Sequence, residues 1–396
     1  MLHLIKMARA SGLLRLVPKH AKRWMKARLD FESIHQVDWE QSYRNALAGV
    51  QPVSYVTDQP VTIIYDRMLR HVHYEAACRE LGVPYNVLDI TSHDWLSKMT
   101  LDHGAIYFIR PFVLSSIGRS LYEERAWMLI NVLHKNVFPS FTALWCYESK
   151  RRCANLLAAY NITHAKTWVF FSKTDAAQFA AQATYPLVFK TDLGSDAVGV
   201  RILHSPRDAI NIIAKCFGKG LATNFYDPQD RNYGQVLFQE HVGDVLEWRV
   251  IRIGNSYFAY QKGKKGEFHS GSKIVHFAPP SESLLEFTRH LTDTIGMNSV
   301  SVDIFEDRTG KYIVNELQTY YGANTSTGIY FEKGQPVTLP EGKTIEMLVD
   351  GSAGRYYWNC GQWIFESGDF ARNAGCNLRV KLGFQILGKP LPGYLA

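Results

Sequence analysis

The sequence predicts an α/β fold whose second half turns α+β. From about residue 60, short apolar runs rich in Val, Ile and Tyr alternate with helical stretches, the pattern of βαβ units around an open sheet. From Tyr185 onward strand-type segments dominate. A chain of 396 residues, 46% apolar and 20% charged, has room for two to three domains and a sizeable core.

In order, Val61–Tyr65 reads as a short buried strand, His71–Leu81 as a helix stopped by Gly82-Val83-Pro84, and Tyr85–Ile90 as the next strand. Ala105–Ile109 is an apolar strand ending at Arg110-Pro111. Helices follow at Leu121–Leu133 and Glu148–Tyr160, then a strand at Thr167–Phe171 and an Ala-rich helix at Asp175–Ala183. Leu187–Lys190 is a strand that ends in lysine. Further strands are expected at Val236–Glu240, Trp248–Ile253, Tyr257–Gln261, Ser299–Phe305 and Lys311–Leu317, with a helix at Ser281–Ile295. Beyond Gly351 lies an aromatic and basic tail with Trp358, Trp363 and Phe365.

Several classes are excluded. No apolar run approaches the ~18 residues of a membrane-spanning helix. Six scattered cysteines without C-x-x-C argue against a disulfide scaffold or a Cys-rich zinc site and suit a reducing, cytoplasmic compartment. The net charge of +7 is no signature of nucleic-acid binding. It is concentrated in residues 1–29, which carry eight Lys and Arg and no acid. Such a segment either lies on an anionic membrane surface, peripheral to its inner face, or is a solvated basic helix.

The chemistry starts at Lys190. The small-residue loop Thr191–Gly199 after it can cradle phosphate: Gly194 and Gly199 let backbone N–H groups approach an anion, and Ser195 adds a hydroxyl. The run Gly266–Lys273 has Gly-Ser-Lys where a P-loop needs Gly-Lys-Ser and precedes a strand, so it is not one. Its cluster Lys262, Lys264, Lys265, His269 and Lys273 is either a polyanion-facing hairpin or a solvated one. The strongest signal is Asp303 with Glu316, each inside an apolar strand of an expected hairpin whose turn is Glu306–Gly310. Carboxylates there are costly unless they bind metal or pair with cations. Two on neighbouring strands can converge on one Mg²⁺, and Gln318 shares the face of Glu316.

This ordered set resembles the ATP-grasp superfamily, in particular the D-alanine–D-alanine ligase, glutathione synthetase and ribosomal-protein glutamate ligase branches, over roughly residues 60–330. The resemblance implies an N-terminal open α/β pre-ATP-grasp domain and two α+β subdomains sandwiching the nucleotide. The divisions are a basic helical segment 1–55, the pre-ATP-grasp domain 56–145, a small lid subdomain 146–240, a large subdomain with the metal site 241–350, and the tail 351–396. Lys150 and Lys190 look like the phosphate lysines, and Gly194–Gly199 like the loop over the phosphates. Backbone groups around Glu240 and Val242 would read adenine, and Glu247 would hold ribose. Asp303, Glu316 and Gln318 take the metal-ligand positions, with Gln where the family has Asn. Ser301 stands where the D-alanine ligases place an oxyanion-stabilising Arg. His269 and Gly271 stand where the glutamate-ligase branch often has Arg and Asn.

What the resemblance implies is an ATP-dependent carboxylate–amine ligase working through an acyl phosphate with ATP and Mg²⁺ (Mn²⁺ would also serve). Lys262 is assigned to the γ-phosphate. Arg249 positions phosphates or substrate, or else pairs with Glu247. Tyr320 and Tyr321 wall the acceptor site or pack the core. His269 is the first candidate base for the alternative, a kinase of a sugar or polyol hydroxyl. A non-catalytic ATP-binding scaffold is the third reading. Expected partners are small carboxylate and amine substrates, or a glycan or lipid-linked acceptor suggested by the basic N-terminus and aromatic tail. A dimer is compatible with the sequence.

Overall fold

The computed structural model describes residues 31–110, 115–194, 199–223, 227, 229–264, 266, 272, 274–319, 329–332, 335–339, 351–368, 370 and 373–391. Expectations for residues 1–29, Ser195, Lys265, His269, Gly271, Lys273, Tyr320 and Tyr321 lie outside these.

Helix α1 (Phe31–Leu47) precedes a parallel sheet of β1 (Val61–Ile64), β2 (Tyr85–Leu88), β3 (Tyr107–Phe108) and β4 (Val137–Phe138), in the order β2-β1-β3-β4. Its connecting helices are α2 (Val72–Leu81), α3 (Trp95–Leu101) and α4 (Ser116–Asn131). Gly82 ends α2 with φ +65, the left-handed cap its lack of a side chain permits. The strand expected over Ala105–Ile109 is shorter, because only Tyr107 and Phe108 pair on both sides.

Helices α5 (Phe141–Cys146) and α6 (Lys150–Ala159) lead to an antiparallel lid sheet, β5-β10-β6-β7. Its strands are β5 (Thr167–Phe170), β6 (Leu187–Lys190), β7 (Val200–Leu203) and β10 (Val236–Glu240). Helices α7 (Lys173–Gln182) and α8 (Pro206–Phe217) and the small pair β8 (Leu221–Ala222) and β9 (Arg231–Asn232) belong to the same region. Leu187, Phe189, Val236 and Phe238 point to α7 and α8 and form the lid core. Alternation then sends Val188, Lys190, Leu237 and Gln239 to the opposite face.

The large sheet is built on β15-β14-β11-β12-β19-β16-β17. Its central strands are β11 (Leu246–Ile253), β12 (Ser256–Lys262), β14 (Ser299–Glu306) and β15 (Tyr312–Gln318). β13 (Val275–His276), β16 (Ile329–Glu332), β17 (Gln335–Pro336) and β18 (Thr338–Leu339) extend it, and helix α9 (Glu282–Thr294) packs on one face. Residues 351–391 do not stand apart: β19 (Gly351–Asn359) pairs with β12, β20 (Gln362–Ser367) pairs with β19, and α10 (Ala374–Ile386) is buried between the first sheet and the large one.

One face of β11 positions everything that follows. Trp248 and Val250 enter the core under α9, while Ile251 and Ile253 enter the core shared with α10 and the first sheet. Period-two alternation puts Glu247 and Arg249 on the face of Ile251 and Ile253. That face therefore runs from apolar at one end of the strand to charged at the other.

Candidate functional site

The charged end faces the lid. Strand registers set Glu247 opposite Lys262, Arg249 opposite Asp303, and Asp303 opposite Glu316. Asp303 is 2% exposed and is gripped by both nitrogens of a bidentate Arg249: Nε donates to Oδ1 at 2.7 Å and Nη2 to Oδ2 at 2.9 Å. Lys262 Nζ bonds the same Oδ2 and also Glu247 Oε1, the latter at 2.7 Å. Arg249 thus pairs with Asp303 and not with Glu247, because cross-strand neighbours on one face lie closer than alternate residues along a strand.

The register slips between Asp303 and Ile304, where β15 carries one extra residue, Asn315. The bulge lets Val314 and Leu317 both stay in the core while Asn315 and Glu316 both turn toward the cleft. Asn315 Oδ1 accepts from Lys190 Nζ at 2.9 Å, and Glu316 Oε1 lies 3.5 Å from Lys150 Nζ. Gln318 Nε2 donates to Glu316 Oε1 at 3.3 Å, which puts the two on one face as expected.

Lys150 is the first residue of α6, two positions later than the helix start at Glu148 that the sequence pattern predicts. Ser149 is the cap, accepting from Arg152 N, and Glu148 before it is left-handed at φ +52. Lys150 Nζ donates to Gly194 O at 2.5 Å, so α6 and the loop after β6 already touch. Gly194 has φ +141, and a side chain there would meet Thr223 O at 2.7 Å. The candidate cations therefore come from four elements: Lys150 (α6), Lys190 (β6), Arg249 (β11) and Lys262 (β12).

Between the lid sheet and β15 lies a narrow cleft lined by Lys150, Thr167, Lys190, Leu237, Gln239 and Glu316 among others. At the end of β10, Glu240 is fixed twice, its N–H donating to Lys166 O at 2.9 Å and its carboxylate accepting from Lys166 N at 2.7 Å. Val242 follows in the connection between β10 and β11.

Charge is tuned by this crowding. Burial works against the Asp303 carboxylate, but Arg249 and Lys262 outweigh it and hold its pKa well below the usual range. Burial likewise opposes Glu316, and Lys150 and Lys190 outweigh it, lowering its pKa. For Lys150 burial is overcome by Glu316, Glu148 and Asp192, and its pKa is raised. Lys190 goes the other way: burial, with Lys150 adding to it, pushes it down to about 8. If the Lys190 ammonium binds phosphate, kcat/KM for ATP falls as pH rises through about 8, because the neutral amine has no charge to offer. The fall should reach ~10-fold or more, the worth of one charge-assisted hydrogen bond. In Lys190→Arg, which stays protonated, that alkaline limb should flatten; an unchanged limb excludes Lys190 as its source.

The donor set suits a hard divalent cation. Asp303, buried, and Glu316, half-buried, are directly opposed oxygen donors, with the Gln318 amide beside them. Among the described residues no three His, Cys, Asp or Glu side chains converge as a metal cage. Mg²⁺ accepts such a sparse set, being held by one or two carboxylates together with substrate phosphates.

Sequence reasoning missed Asn315, Asp192 and Arg119. Asn315 stands beside Glu316 and was open to notice as a polar residue inside an apolar strand. The other two gave no local signal.

No family model matches the chain. It is 25% identical over 251 residues to the alpha-aminoadipate–LysW ligase LysX of Saccharolobus solfataricus, covering 60% of this chain and 84% of that protein. It is 28% identical over 197 residues to the enzyme of the same name from Sulfurisphaera tokodaii, covering 47% of this chain and 64% of that one. Among solved structures, it superposes on an N5-carboxyaminoimidazole ribonucleotide synthetase in its ADP complex with a TM-score of 0.51 at 15% identity, over 78% of this chain and 82% of the other.

Proposed function

We propose that this chain, similar to proteins named as ligases and alike in fold to an ADP-bound synthetase, is an ATP-grasp ligase that activates a small-molecule carboxylate as an acyl phosphate and joins it to an amine. The observation that carries this is one charge cluster at the cleft: Lys150 and Lys190 line it beside Glu316, and Arg249 and Lys262 hold Asp303, which the strand register sets opposite Glu316. Four cations gathered around this pair of carboxylates match the charge of a triphosphate.

In this reading adenine lies at the hinge, against backbone groups of Glu240 and Val242, and Glu247 receives the ribose. Lys150, Lys190 and the Gly194 loop hold the inner phosphates, and Lys262 the γ-phosphate. Asp303, Glu316 and Gln318 would hold Mg²⁺, which neutralises phosphate charge when bound. In the described state Lys150, Lys262 and Arg249 are paired with acids and Lys190 with the Asn315 amide, so binding is an exchange in which phosphate oxygens replace these partners on the cations. The substrate carboxylate oxygen attacks the γ-phosphorus as the bond to ADP breaks. The amine nitrogen then attacks the acyl carbon, loses a proton, and phosphate leaves. Arg249 sits beside the carboxylates where it can stabilise the developing oxyanion.

Support for a ligase over a kinase comes from the relatives, which are named as ligases. No described residue favours a glycan or membrane-bound acceptor, and no described helix is long and apolar enough to cross a membrane. The test is ADP release in a screen of carboxylates with hydroxylamine as acceptor. A ligase yields a hydroxamate with the right carboxylate. If no carboxylate stimulates ADP release and a sugar or polyol does, the kinase reading replaces it.

A further inference from the structure

The first turn of α4, in the domain before the lid, makes bonds to three separate parts of the nucleotide site. Ser116 N donates to Asp230 Oδ1 of the β8–β9 region at 3.1 Å. Arg119 Nη2 donates to Asp192 Oδ2 at 3.2 Å, and its Nη1 to Glu148 O at 2.8 Å. One turn on, Glu123 pairs with Arg152 of α6.

Asp192 is the centre of this arrangement. It lies two residues beyond Lys190 and two before Gly194, and is 4% exposed. Its Oδ1 accepts from Ser149 Oγ at 2.8 Å and from Arg151 N at 3.0 Å, and its backbone oxygen accepts from Lys150 N at 3.2 Å. Its own N–H donates to Asn232 Oδ1 at 3.2 Å. One carboxylate therefore joins the loop after β6, the N-terminus of α6 and an arginine of the preceding domain. The helix end it occupies is the one that presents Lys150, and the loop it belongs to presents Gly194.

We propose that Asp192 is a positioning residue that fixes Lys150 and the Gly194 loop in one phosphate-binding arrangement, and that Arg119 holds Asp192 there. The preceding domain thereby sets the nucleotide cradle. Neither side chain touches the cleft; both act through Lys150 and Gly194. The role rests on the ATP-binding reading above. It also explains why a carboxylate sits buried among backbone donors in a site that must attract polyanions: Arg119 and the Ser149–Arg151 donors absorb its charge.

The test is a double-mutant cycle on the Kd for MgATP, titrated without carboxylate or amine. Asp192→Asn keeps an acceptor for Ser149 and Arg151 and removes the charge that Arg119 binds. Arg119→Met keeps the bulk of the stem. Each single change should weaken MgATP binding roughly 10- to 100-fold, the range of a charged hydrogen bond. The double variant should be no worse than the weaker single, because both delete one link. Hydrogen exchange in a peptide spanning 148–154 should quicken in both. Arg119→Lys, which can keep one of the two bonds, should lose less than Arg119→Met and guards against a misfolded Met variant. Wild-type affinity in the single variants, or losses that multiply in the double, overturn the positioning role while leaving the ATP reading standing. A wild-type protein that does not bind MgATP overturns both.

Discussion

Glu316→Gln should lower Mg²⁺-dependent ATP turnover on the order of 10³-fold while the protein stays folded. The change keeps the shape of a side chain that lies opposite Asp303 and removes one of the two carboxylates able to hold the metal. Its structural cost is less than that of Asp303→Asn, since the Glu316 pair with Lys150 is long, 3.5 Å, and Glu316 is partly exposed. The same substitution frees Lys150 from a competing acid, so binding of metal-free ATP should tighten even as turnover collapses. Opposite shifts in the two assays separate loss of the metal from general damage. Full turnover in the folded variant would remove Glu316 from the metal set. Asp303→Asn should lose as much activity and also lose stability, because it leaves Arg249 and Lys262 facing a neutral amide.

Arg249→Met should cost about 3–5 kcal/mol of stability, the penalty for breaking a buried pair from one side. Asp303 would keep only Lys262, which Glu247 shares. Denaturant unfolding at neutral pH measures the loss. Its pH dependence has a definite sign. In the wild type the Asp303 pKa is held below its unfolded value, so the stabilisation is complete above about pH 4 and fades as pH falls through the folded value. The gap between wild type and Arg249→Met should therefore be widest at neutral pH and narrow in acid. A constant gap would trace the loss to packing of the arginine stem instead.

The ATP-grasp order of elements was legible in the sequence because each piece is local. The carboxylates inside apolar strands, the turn at Glu306–Gly310 and the lysine ending β6 all fall within a few residues of their cause. The direct register of Asp303 with Glu316 follows from that hairpin. What was illegible depended on distance or on exact register. Arg119 and Asp192 are 73 positions apart, and nothing near either names the other. The bulge at Asn315 arises where two strands fail to match one for one, which single-strand periodicity does not reveal. The Glu247 pair offered as the alternative role of Arg249 does not form for a related reason: Glu247 is nearer along the chain, but β14 brings Asp303 alongside. The tail read from composition as aromatic and basic turned out to supply β19, β20 and the buried α10, whose packing comes from segments far upstream.

β15 heads the order of strands in the large sheet, yet its outer side is not bare. Thr163 O accepts from Val314 N at 3.0 Å, Val314 O accepts from Ala165 N at 3.0 Å, and His164 bridges Val314 in parallel. The consequence is for solubility and assembly. An uncovered strand carrying Ile313, Val314 and Leu317 would be a template for pairing with another copy of the chain. Residues 163–165 cap that template with the protein's own backbone, in a segment that directly precedes β5. Loosening of that segment would bare the strand, so self-association on partial unfolding should begin at this border, ahead of the well-sheltered inner strands β11 and β14.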